Sequence, residues 1–194
     1  PTAKVTLDRV SVPRKRMLVT GSDYETGFIR FISRSALHNA ARCVGVMEAA
    51  YEYARDYAAE REAFGKPIAH FQAIAFMLSD MLIATDAAKL AVWQAASAFD
   101  AGSKYALRDT SAAIALSYEH VIKVTEDAVQ ILGGAGYMED HPCEKWMRDA
   151  RSLSLVYGTQ AQADRALGYY FLEDQNDIHL TELSPLGPCQ PVAT

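Results

Sequence analysis

A single stripe constrains this sequence more than any other feature. Phe71, Ile74, Leu78, Met81, Thr85, Ala88, Val92, Ala95 and Phe99 recur by threes and fours, the interval at which side chains share one face of an α-helix. The expected helix, from about Pro67 to Phe99, is roughly 45–50 Å long at about 1.5 Å per residue. A buried face of that length demands an antiparallel helical partner.

The preceding stretch supplies one. From about Glu25 to Ala63 the pattern is again helical, with Leu37, Ala40, Val44, Met47, Tyr51, Ala54 and Ala58 on one stripe. Gly45 weakens such a helix by about 1 kcal/mol relative to alanine, and a close helix contact would compensate. Between the two helices lies a charged corner, Glu60 to Phe76. Gly65 there can close a helix C-terminus in the left-handed conformation. Pro67, without an amide proton, suits the first turn of the next helix. Phe64 and Phe71 flank the corner as apolar anchors, and Arg61 and Lys66 project positive charge from it. The corner reads as a solvated turn or an anion site, and residue types alone favour the solvated turn.

A third helix is expected to open near Asp109, Thr110 or Ser111, any of which can cap exposed amides. It runs to Leu132, where Gly133 and Gly134 stop it and Gly136 loosens the chain further. A short segment around Cys143–Asp149 and a last helix over Thr159–Leu172 follow. At the start, the alternation of Ala3-Lys4-Val5-Thr6-Leu7, then Val10 and Val12, reads as a short strand. The fold class is therefore all-α, an antiparallel bundle of long helices with a short N-terminal strand segment. The boundaries are 1–20 for the strand-like lead, 21–172 for the bundle and 173–194 for an irregular tail.

Bulk properties remove several function classes. The chain has 194 residues and a formal net charge of −5, whereas phosphate neutralisation on nucleic acid needs a basic face. No uninterrupted apolar run approaches the roughly 20 residues of a membrane-spanning helix, and the start does not read as a signal peptide. Three scattered cysteines, Cys43, Cys143 and Cys189, suggest reduced thiols in a cytoplasmic protein. His141 and Cys143 have no second close pair with which to bind zinc.

Two stretches carry more specific information. EREAFGKPIAHFQAIAFMLSDM, beginning at Glu60, and DAVQILGGAGYMEDHPCEKWMRDAR, from Asp127 to Arg151, resemble the two C-terminal signatures of the acyl-CoA dehydrogenase family. The opening strand-like run resembles the last strand of that family's middle β-domain, which would make residues 1–20 a remnant of it. The resemblance implies FAD lying between subunits. Arg61, Phe64 and Gln72 match positions that contact a neighbouring subunit's FAD, as do Gln130, Gly133 and Gly134; Thr159 follows the base position and joins the cofactor set. A guanidinium suits phosphate, and paired glycines let backbone amides approach an anion. The implied partners are an acyl-CoA or related small molecule and other subunits, in a homo- or hetero-oligomer of tetramer type, with no nucleic acid and no membrane. The implied setting is fatty acid metabolism.

The same resemblance exposes a departure. The family abstracts an α-proton from an acyl-CoA thioester while hydride passes from the β-carbon to flavin, and a glutamate is the usual base. Val156-Tyr157-Gly158-Thr159 puts Tyr157 at the glutamate position. Some relatives carry the base on the first helix, where Ser35 stands here, with Ala36 replacing an adjacent arginine. A tyrosine with an ordinary pKa near 10 is mostly protonated at neutral pH, so it is a poor acceptor. Two readings follow: an α,β-dehydrogenating flavoenzyme of which this is the C-terminal helical part, or a catalytically inactive structural subunit completing a heteromeric flavoenzyme. A third, another flavin reaction on the same fold, has no positive sign in the sequence.

Overall fold

The computed structural model describes residues 3–17 and 23–169. Among these lie five α-helices: α1 (Asp23–Glu60), α2 (Gln72–Asp100), α3 (Ala106–Leu132), α4 (Cys143–Leu153) and α5 (Gln160–Tyr169). α3 touches all four others, and its Ala113, Ile114, Tyr118, Val121 and Ala128 are completely buried. A helix buried on several sides is a core helix, so α3 is the axis of the bundle.

α1 and α2 pack against it and run antiparallel to each other. Glu48 pairs with Lys89, and nearer the start of α1, Leu37 shares a cleft with Val92 and Phe99 near the end of α2. The stripe read from sequence is the buried face: Met81, Thr85, Ala88, Val92 and Ala95 are buried. On α1 the alanines at 40, 54 and 58 are fully buried, which lets backbones approach closely. Truncating a core side chain such as Met81 to alanine costs about 2–5 kcal/mol through lost transfer energy and the cavity left behind.

Several expectations are corrected. α2 starts at Gln72 and not near Pro67, because Pro67 is extended (φ −54°, ψ 140°) and leads into a single 3-10 turn, Ile68–His70. α3 opens at Ala106, and Tyr105 offers it no side-chain cap. Thr110 and Ser111 are already inside it, with their hydroxyls donating to the carbonyls of Ala106 and Leu107 at 2.7 and 3.1 Å. That back-bonding to the preceding turn competes with capping. Asp109 accepts from Arg108 instead. Gly45 has no close helix contact; a Cβ there would meet nothing within 4 Å. Gly136, expected to loosen the chain, packs tightly, and a Cβ would come within 2.6 Å of the Val129 carbonyl oxygen.

No strand forms over residues 3–17, where Val5, Leu7, Val10 and Val12 are exposed. A lone strand has no ladder to satisfy its backbone groups. The strand pair of the described residues is elsewhere: β1 (Glu62–Ala63) and β2 (Lys66–Pro67). The expected end of the last helix at Leu172, the tail 173–194 and Cys189 lie outside the described residues. No described helix is long and apolar enough to cross a membrane. Cys43 and Cys143 are free buried thiols, and His141 shares a 2.8 Å hydrogen bond with the Tyr53 hydroxyl.

Candidate cofactor edge and proton-transfer turn

The charged corner is a two-residue hairpin. Glu62 pairs with Pro67 and Ala63 with Lys66, leaving Phe64 and Gly65 as the turn, both with positive φ (53° and 80°). That is the sign combination tight hairpins demand, and glycine tolerates it while phenylalanine is strained. Gly65 therefore makes the hairpin; α1 has already ended at Glu60. The Arg61 carbonyl accepts from the Ile68 amide at 2.8 Å, closing the base of the hairpin.

Phe64 is not an anchor of the core: it is 95% exposed and meets Phe71 edge to face at 6.1 Å. Phe71 is half-buried, with the Lys66 ammonium 4.5 Å from its ring. Arg61 and Gln72 are exposed, and among the described residues the Arg61 guanidinium makes no ion pair although Glu60 and Glu62 adjoin it.

Gln130, Gly133 and Gly134 form a second exposed group at the C-terminus of α3. Gly133 has φ 60°, and a Cβ on either glycine would meet nothing within 4 Å. The backbone there is open to approach. Among the described residues, no hydrogen bond, ion pair or ring contact joins this group to the corner.

Tyr157 follows α4 on a turn. The Val156 amide donates to the Leu153 carbonyl at 3.3 Å, and Gly158 has φ 96°. The ring of Tyr157 is half-buried and packs on the core. Thr159, two residues on, caps α5. Its backbone N–H donates to Gln162 Oε1 at 2.7 Å, while the Gln162 amide donates to its hydroxyl at 3.3 Å. This reciprocal box was legible as Thr-x-x-Gln. Ser35 donates to the Phe31 carbonyl at 3.1 Å and Ala36 is fully buried, so the first-helix position carries a hydroxyl and a methyl and no carboxylate. Between α1 and α4 opens a groove of about 580 Å³, lined by Arg42, Gly45, Trp146, Asp149, Leu153 and Val156. Sequence patterns gave no sign of it.

Residues 27–166 match the family description "Acyl-CoA dehydrogenase, C-terminal domain". The chain belongs to the acyl-CoA dehydrogenase family. It is 37% identical over 166 residues to a 3-sulfinopropanoyl-CoA desulfinase of Paraburkholderia xenovorans, covering 82% of this chain and 41% of that protein. It is 34% identical over 171 residues to an acyl-CoA dehydrogenase of Bacillus subtilis, covering 88% and 45%. Its fold superposes on butyryl-CoA dehydrogenase from Megasphaera elsdenii with a TM-score of 0.79 at 32% identity, covering 84% of this chain and 42% of that one. The chain thus spans less than half the length of these relatives. Within the acyl-CoA dehydrogenase frame, the corner and the α3 end carry the two signature stretches, and Tyr157 follows the second.

Proposed function

We propose that this chain is the C-terminal helical part of an FAD-dependent acyl-CoA dehydrogenase-type oxidoreductase, carrying out α,β-dehydrogenation of an acyl-CoA thioester within an oligomer. One observation carries the reading: Arg61, Phe64, Gln72, Gln130, Gly133 and Gly134 all sit at the surface. A guanidinium without an acidic partner and a glycine backbone clear of side chains fit a dinucleotide diphosphate. Arg61 and the Gly133–Gly134 amides would bind the diphosphate, and Gln72 and Gln130 would orient the remainder. Bound FAD supplies a hydride acceptor. Cysteine usage supports a cytoplasmic setting.

A second reading, a catalytically inactive subunit of a heteromeric flavoenzyme, is favoured by Tyr157 at the base position and by Ser35 committed to a backbone carbonyl. The test is the visible spectrum of the purified assembly, followed by anaerobic addition of acyl-CoAs of graded chain length. Flavin absorbance that bleaches supports dehydrogenation. Flavin that stays oxidised with every thioester favours the second reading, and the absence of flavin after incubation with FAD overturns both.

A further inference from the structure

Two side chains from the helices beneath meet the turn that carries Tyr157, one bonded to its start and the other lying against its end. Asn39 of α1 donates through Nδ2 to the Leu153 carbonyl at 2.7 Å and to the Tyr118 phenol oxygen at 2.9 Å. That phenol, from α3, also lies against the backbone of Tyr157. Asn39 and Tyr118 are 1% and 0% exposed, so water does not compete for these bonds. Burial pushes the Tyr118 pKa up, which keeps the phenol neutral. Asn39 Oδ1 has no partner, a cost that an apolar side chain of similar volume would avoid. What Asn39 contributes is its two donors, and both serve this one place. Leu153 and Val156 also line the groove between α1 and α4, so one network braces the groove wall and the residue beside it.

We propose that Asn39 and Tyr118 are positioning residues, clamping the Leu153–Tyr157 turn so that Tyr157 is presented in one orientation where the family's base stands. This rests on the reading of that turn as the proton-handling edge of an acyl-CoA site. A core-filling role would require the same volumes but not the same polar atoms.

Tyr118→Phe separates the two, because it removes one oxygen and nothing else. In hydrogen–deuterium exchange on the whole chain, amides 155–158 are expected to exchange roughly tenfold faster, the loss of about one ordinary hydrogen bond. Amides 81–92 of α2 stay unchanged. Asn39→Leu gives the same local pattern, and Tyr157→Phe leaves it intact because the contact is with the Tyr157 backbone and not its hydroxyl. In the flavin-loaded assembly, bleaching by butyryl-CoA slows by about tenfold or more in Tyr118→Phe at an unchanged half-saturating concentration. Equal acceleration in the turn and in α2, or unchanged exchange in the turn, overturns the clamp. So does wild-type bleaching speed in Tyr118→Phe. If wild-type flavin is not bleached at all, dehydrogenation of that thioester falls, and exchange alone decides the clamp.

Discussion

In the proposed reading, Tyr157 is the residue at which the chemistry turns. A carboxylate there would be a competent acceptor at neutral pH, and a positioned general base is worth about 10²–10⁴ in rate. Tyr157→Glu is therefore expected to raise flavin bleaching by acyl-CoA by about a hundredfold if the turn has the family's geometry. A stopped-flow comparison in which the variant is no faster than wild type would show that the turn points elsewhere. The buried thiols make a second prediction. Burial pushes Cys43 up to about 12 and Cys143 up to about 11. A raised folded pKa means the unfolded chain ionises first. The stabilising contribution is complete below the ordinary thiol value of about 8.5 and declines as pH rises towards the folded values. Melting temperature should fall from about pH 9 upward, and less steeply in a Cys43→Ala, Cys143→Ala double variant. Parallel curves would refute the assignment.

At the scale of elements, the hairpin between α1 and α2 combines strain with exposure. A left-handed phenylalanine costs about 1–2 kcal/mol, and nothing in the core holds Phe64 there. Strain of this kind clusters at functional sites. Phe64→Asn, a residue tolerant of that conformation, should raise thermal stability by about 0.5–1 kcal/mol while weakening FAD retention. A variant that is both more stable and equally flavin-bound would remove Phe64 from the cofactor edge. The hairpin also shows where sequence stops being informative. Periodicity found the buried faces of α1 and α2 because burial on one face imposes it. Gly65 and Pro67 looked like a helix stop and a helix start, yet the same residue types build a hairpin, and only pairing across four residues distinguishes them. Asp109, Thr110 and Ser111 carry capping chemistry that the structure uses inside the helix. Gly136 is needed for its approach to Val129, and Asn39 meets Tyr118 across 79 positions. No local pattern records contacts of that kind. The proposed cofactor residues were legible only through resemblance, since an exposed arginine or a double glycine is common.

For the whole molecule, the informative surface is the outer side of α2. Its buried stripe faces α1 and α3, yet Phe76, Ile83, Leu90 and Trp93 on the opposite side are 63%, 67%, 61% and 61% exposed. Phe76, Ile83 and Leu90 repeat every seven residues and so stay aligned along the helix. Gln72 stands four residues before Phe76, at the head of the same face. An apolar stripe of that length, unpartnered in one chain, fits burial in an oligomer. Its continuity with Gln72 fits a subunit contact that ends at a shared cofactor edge. An Ile83→Glu, Leu90→Glu double variant leaves the buried stripe untouched, so helicity by circular dichroism should be unchanged. Light scattering should report a smaller assembly, and FAD should be lost with it, because the edge residues would no longer meet a second subunit. An assembly of unchanged mass would show that this face is not where subunits meet. A smaller assembly that still holds flavin would confine the cofactor to residues within one subunit.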